Sequence, residues 1–264
     1  MPFPDSEVDE AMGLRVMPAR EFAPASAVKP LPGLADQPRR IGAITIGQSP
    51  RADVIPEMTP FFGQDVDIVE RGLLDGRSAP EIQAMKPPPG EAVLVSRLRD
   101  GTEVSISAGW AREALPAAIA ELEELGCYLI VLLCTGEFPG LSSRIPLVLP
   151  QRLLFHTVSA LARELHLGVI VPSPLQISGA TARWRPAAAR VTAVSGSPYG
   201  EGRELDAAAR RLAVEGVDIV VLDCMGHAMR HRALVQGVVG RPVILARTLV
   251  ARVLGELLGA APTP

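Results

Sequence analysis

Apolar and polar positions along this chain alternate between two grammars: short aliphatic runs bounded by Gly, Pro or Ser, and longer stretches of helical period. Ile41-Gly42-Ala43-Ile44-Thr45-Ile46-Gly47 is a β-branched run closing on glycine and predicts a strand. Gln48-Ser49-Pro50-Arg51 then predicts a turn, 53–62 a short helix and 65–69 a second strand. Ser78-Ala79-Pro80-Glu81 has the form of a capping box, so a short helix starts there and stops before Pro87-Pro88-Pro89. From Ala92 to Ser107 the alternation is of period two around Asp100-Gly101, the signature of a hairpin. A helix over 112–125 leads into the almost uninterrupted apolar strand 127–133.

The second half repeats the order. Leu167 to Val171 is a strand followed by the turn Pro172-Ser173-Pro174, and 191–194 a strand followed by Ser195-Gly196-Ser197-Pro198. A helix over 201–215 precedes the strand 218–222. Gly126 to Gly136 lies over Gly216 to Gly226 without a gap, which superposes Cys134 on Cys224. Each half then has a proline-led strand, Pro146-Leu147-Val148-Leu149 or Pro242-Val243-Ile244-Leu245, and a long helix, ending near Leu165 or Leu258. The expected fold is therefore α/β: two pseudo-symmetric, parallel-sheet, flavodoxin-like halves with helices on both faces and a cleft between them. The expected division is a Pro-rich disordered tail over 1–39, a first half over 40–150 and a second over 151–264. A hairpin insertion at about 70–110 belongs to the first half alone, and the C-terminal helix is placed against that half.

Composition narrows the partners. Apolar residues make up 48% of 264, yet aromatics only 4%, so the core is aliphatic, as in buried parallel strands. A net charge of −3 with scattered arginines leaves no basic footprint for nucleic acid or an anionic membrane surface. No stretch reaches the roughly 18 apolar residues of a membrane span. Asp5, Glu7, Asp9 and Glu10 interrupt any signal-peptide pattern, and three cysteines form no disulfide framework. The expected location is the cytoplasm.

Ligands in parallel sheets bind beyond the carboxyl ends of the strands, and both Cys134 and Cys224 stand there. A thiol just past a strand end, beside the N–H groups of the following turn, is expected to have its pKa lowered and to accept a proton, while a second thiol on the opposite face donates one, a two-sided acid/base pair. Cys127, at the start of its strand, is expected to be structural. Ser49, Arg51, Thr135 and Ser173, with the N–H groups of Gly136 and Gly226, are candidate holders of substrate oxygens. His227 is expected to orient substrate or tune Cys224. The glycines match neither a dinucleotide nor a phosphate-loop signature, so neither cofactor nor metal is expected.

Several segments resemble AroM-family proteins: Leu222-Asp223-Cys224-Met225-Gly226-His227 with Arg230-His231-Arg232, Thr45-Ile46-Gly47-Gln48-Ser49-Pro50-Arg51, Leu73-Leu74-Asp75-Gly76 and Gly168-Val169-Ile170-Val171-Pro172. That family resembles a branch of the aspartate/glutamate/hydantoin racemase superfamily, whose two halves each supply one cysteine. The resemblance implies a cofactor-independent isomerase acting on a small carboxylate or cyclic amide, with homo-oligomers among its relatives. It leaves open a decarboxylase or cis–trans isomerase using one cysteine, and a non-catalytic binding protein. Amino-acid racemases carry Asn-Thr after the first cysteine and Thr-His or Thr-Glu after the second. Here Cys134 precedes Thr135-Gly136-Glu137 and Cys224 precedes Met225-Gly226-His227, closer to hydantoin-racemase sites.

Overall fold

The computed structural model describes residues 39–63 and 65–260, so most of the segment assigned to the Pro-rich tail lies outside the described residues. Two four-stranded parallel sheets carry the fold. The first uses β1 (Arg39–Thr45), β2 (Val66–Gly72), β5 (Leu129–Leu132) and β6 (Leu147–Val148) in the order β2-β1-β5-β6. The second uses β7 (His166–Val171), β8 (Arg190–Ser195), β9 (Ile219–Leu222) and β10 (Val243–Leu245) in the order β10-β9-β7-β8. By position within each sheet the two orders are the same.

The repeat extends to single hydrogen bonds. Leu133 N–H donates to the Ile44 carbonyl at 2.7 Å, and Asp223 N–H donates to the Ile170 carbonyl at 2.9 Å. Ile130 and Val220 donate to Pro146 and Pro242, each at 2.9 Å. Gly126 and Gly216 both adopt left-handed backbone, φ +73° and +66°, which ends α3 (Ala108–Glu124) and α6 (Arg203–Glu215) alike. The chain therefore leaves β5 and β9 in matching ways, and Cys134 and Cys224 occupy matching places.

Strand side chains alternate between two buried faces, hence the near-continuous apolar runs. Ile44, Ile130 and Leu132 lie under α3; Ile170, Val220 and Leu222 lie under α6 and α7 (Met229–Val239). The opposite faces, including Ile41, Val131, Val169 and Val221, enter one core shared by both sheets. Helices α4 (Pro150–Ala162) and α8 (Ala246–Leu257) fill that core. Short helices α1 (Ile55–Met58) and α5 (Ile177–Trp184) add Met58, Ala180 and Trp184 to the same core. Helix α8 approaches the first sheet's elements so closely that a Cβ on Gly255 would stand 2.1 Å from the Phe61 carbonyl oxygen.

The insertion forms α2 (Ala79–Ala84) and the hairpin of β3 (Val93–Arg97) and β4 (Glu103–Ser107). Ser78 closes its capping box, with its N–H and hydroxyl reaching Glu81 at 2.7 and 2.6 Å. Three sequence readings shift. Strand β2 begins at Val66 and runs to Gly72, and α3 begins at Ala108, where Ser107 accepts from Trp110 N–H at 3.0 Å. Helix α5, between strands β7 and β8, was not anticipated, because Ile177-Ser178-Gly179-Ala180-Thr181 carries no strong period and, apart from Ala180, only weak helix formers.

Candidate active site

Each cysteine sits two residues beyond the end of a central strand, where the backbone N–H two residues further on points back at its sulfur. Gly136 N–H donates to Cys134 Sγ and Gly226 N–H to Cys224 Sγ, both at 3.3 Å. The two turns touch: the Thr135 hydroxyl donates to the Asp223 carbonyl at 3.0 Å. The residue after one cysteine is thus bonded to the residue before the other. Both thiols line one cleft of about 490 Å³, together with Arg51, Thr135, Gly136, Arg183, Tyr199, Asp223 and Gly226.

Burial raises both thiols above the ordinary range, Cys134 to about 12 and Cys224 to about 11. In each case the glycine N–H pulls the other way by stabilising the thiolate. Their wider surroundings differ. Arg51 and Arg247 lower Cys224, whereas Cys134 has Arg183 on that side of the balance and Cys224 itself against it. Asp223 raises both.

Arg51 is 3% exposed and spends its guanidinium on a fork to Asp53 (2.8 and 2.9 Å), on Thr45 Oγ1 (2.9 Å) and on the Tyr199 hydroxyl (3.0 Å). Burial, the largest single effect, opposes its charge, yet the Asp53 hydrogen bond together with the charges of Tyr199, Asp53 and Cys224 outweighs it and holds the guanidinium protonated. Burial also raises the Tyr199 phenol, as does neighbouring Cys224, so Tyr199 is a hydroxyl donor inside the cleft. On the other wall, Asp223 Oδ2 accepts from Arg183 (2.5 Å) and Trp184 Nε1 (2.8 Å). Asp223 Oδ1 and Arg183 Nε are buried with no hydrogen-bond partner among the described residues. By the repeat, Asp223 holds the position of Leu133, so the second half alone brings a carboxylate to its strand end.

The structure brings together Cys134, Cys224, Arg51, Thr135, Gly136 and Gly226. It does not bring in Ser49, Ser173 or His227. Ser49 donates its hydroxyl and N–H to the Asp75 carboxylate under the insertion. Ser173 accepts from Leu175 N–H at 3.3 Å, as turn chemistry does. His227 is fully buried behind the cleft, edge-on to His231 at 5.5 Å. Cys127 is buried at the entry to β5.

Sequence reasoning missed Tyr199, Arg183 and Trp184. Tyr199 carried a signal, an aromatic directly after the strand-end turn Ser195-Gly196-Ser197-Pro198 in a chain poor in aromatics. Arg183 and Trp184 lie on the unanticipated α5 and carried none.

Two four-stranded parallel sheets flanked by helices make the two-domain α/β fold found in racemases, and solved structures share that fold. Allantoin racemase from Klebsiella pneumoniae superposes with a TM-score of 0.54 at 16% identity, over 85% of this chain and 90% of that one. For Nocardia farcinica maleate cis-trans isomerase bound to Tris the figures are 0.53 and 14%, over 84% and 93%. For Picrophilus torridus aspartate racemase they are 0.51 and 13%, over 84% and 95%. At such identities the likeness shows the fold alone. The AroM protein family model matches residues 41–258, and the chain belongs to that family. No curated protein sequence matches it. Among the described residues, no helix is long and apolar enough to cross a membrane.

Proposed function

We propose that this protein catalyses cofactor-independent proton transfer at a carbon next to a carboxylate or carbonyl, racemising or epimerising a small carboxylate or cyclic amide. One thiol removes the proton from one face and the other returns it on the opposite face, with Cys134 and Cys224 as that pair. The observation that carries the reading is the Thr135–Asp223 hydrogen bond, which fixes two matching strand-end cysteines to each other across one cleft. Structures named as racemases on the same fold support it.

As the proton leaves, negative charge builds on the substrate's carbonyl or carboxylate oxygens. Arg51, the Tyr199 hydroxyl and the Gly226 N–H answer it from the Cys224 side and the Gly136 N–H from the other, while Thr135, its one proton given to the Asp223 carbonyl, holds the two turns together. These donors are already oriented by protein partners, so little reorganisation accompanies the reaction. Asp223 and Arg183 both line the cleft, and their unpartnered Oδ1 and Nε are an acceptor and a donor of the kind that the N–H and C=O groups of an amide or ureide require. Ser49, Ser173 and His227 support the surrounding backbone in this reading.

A second reading follows from the unequal surroundings of the two thiols: a decarboxylation or cis–trans isomerisation that uses one cysteine as proton donor or nucleophile. Both are separated by incubation in D2O with a panel of amino acids, hydantoins, hydroxy acids and dicarboxylic acids, for the native chain, Cys134→Ser and Cys224→Ser. α-Deuterium in both enantiomers that needs both thiols is the expected result. Turnover that survives loss of one thiol moves the assignment to the second reading. Silence over the panel, with a compound that raises Tm, overturns turnover in favour of a binding role.

A further inference from the structure

The turn that carries Cys224 is braced by a charged side chain that never reaches the cleft. Arg247, the second residue of α8, has no solvent exposure. Its Nε donates to the Met225 carbonyl at 3.1 Å and its Nη2 to the Gly226 carbonyl at 3.0 Å. The third arm, Nη1, donates to Glu57 of α1 at 2.9 Å, and Glu57 also accepts from Met229 N–H at 3.0 Å. Two successive peptide planes after Cys224 are therefore held by one rigid fork. The first of them, the Met225–Gly226 peptide, is the one whose N–H meets Cys224 Sγ.

The first half lacks this brace. Leu147 pairs with Ile130 as Val243 pairs with Val220, so the register of the repeat places Gln151 where Arg247 stands. Gln151 reaches only the exposed Glu137, at 3.5 Å. A buried cation thus braces the turn after Cys224, while the neutral amide in the matching place makes no bond to the turn after Cys134 among the described residues.

We propose that Arg247 is a positioning residue that fixes the Met225–Gly226 turn and its charge behind Cys224, making Cys224 the more readily ionised thiol of the pair, the one that gives up its proton first to act as base, and Cys134 the acid. The assignment of base and acid rests on the proton-transfer reading above; the order of thiol reactivity does not.

Groups on every packed element bear on Cys224. From the loop after β1 comes Arg51, forked onto Asp53; from the loop after β8, Tyr199; from α8, Arg247, shared with Glu57 of α1. Asp223, its own neighbour, is drawn towards Arg183 of α5, and Cys134 faces it across the cleft. His227 and His231 are kept uncharged by burial and by Arg247, so they add no cation at neutral pH. Beyond the Gly226 N–H, which has its counterpart at Cys134, Arg51 and Arg247 are the two charged groups that favour the Cys224 thiolate, in line with its lower position than Cys134.

The test uses the full chain without substrate, reading the iodoacetamide modification rate of each cysteine by peptide mass spectrometry at pH 8. In Arg247→Gln, which writes the first half's residue into the second, the rate at Cys224 should fall at least about threefold, since a scarcer thiolate is partly offset by higher nucleophilicity. Cys134 should change less than twofold. Glu57→Gln removes the carboxylate that shares Arg247 and should raise the Cys224 rate at least about twofold. An unchanged Cys224, or equal slowing of both thiols, overturns the proposal. Should Arg247→Gln lose its fold, shown by buried Cys127 becoming reactive, Glu57→Gln decides alone, and an unchanged or slower Cys224 there overturns it.

Discussion

Acidification from pH 8 to pH 5 tests the buried imidazoles behind the cleft. His227 has no exposure, and both ring nitrogens lack a hydrogen-bond partner among the described residues. Burial, then the charges of neighbouring His231 and Arg247, push it down to about 3; burial and the charges of Arg230 and Arg247 push His231 down to about 4. A depressed histidine contributes stability that is whole above the unfolded value of 6.5 and is lost as the pH falls towards the folded one. At pH 5 the unfolded chain gains a proton on each ring that the folded chain refuses, which costs about 2 kcal/mol per histidine, or about 4 kcal/mol for the pair. His227→Leu breaks no hydrogen bond of the folded protein and removes one of the two proton sites. Urea unfolding at both pH values should therefore show the variant losing about 2 kcal/mol less than the native chain over this interval. Equal losses would refute the reasoning, since His227 would then take up its proton inside the fold.

Three further outcomes follow from the structure. Gly255→Ala places a methyl group against the Phe61 carbonyl, a backbone atom that cannot swing aside, and should lower stability by about 1–3 kcal/mol or more, read as a drop in Tm. Trp184→Phe removes one donor from the buried Asp223 carboxylate and should cost about 1–3 kcal/mol in urea unfolding, while Trp110→Phe, away from the cleft, serves as the fluorescence control. Raised thiols contribute stability that is whole below the unfolded value of 9.0 and is lost as the pH rises above it. Cys134→Ala should accordingly lose about 1.4 kcal/mol less than the native chain between pH 8 and pH 10, and identical alkaline losses would contradict the buried thiol.

The sequence by itself determined the features written in local periods and turn chemistry. Strands buried on both faces must be apolar throughout, so β1, β5, β7 and β9 were legible as aliphatic runs. The gapless overlay of Gly126–Gly136 on Gly216–Gly226 gave the twinned halves and the matching places of Cys134 and Cys224, because the same left-handed glycine and the same strand length are needed to make the same turn. Serine at 78 with glutamate at 81, and Asp100-Gly101 between alternating runs, marked the capped helix and the hairpin for equally local reasons.

Tertiary structure alone decided what each polar side chain is for. Ser49 and Arg51 stand two residues apart in one turn, yet the fold gives Ser49 to Asp75 under the insertion and Arg51 to the cleft. His227 looked like a neighbour of Cys224 by numbering, but the Met225–Gly226 turn sends its ring into the interior. Arg183, Tyr199 and Arg247 come to the cysteine turns from α5, the loop after β8 and α8. No spacing in a sequence records which buried carboxylate or carbonyl an arginine will meet once the sheets have packed, because such partners are chosen by desolvation and by the geometry of elements far apart in the chain.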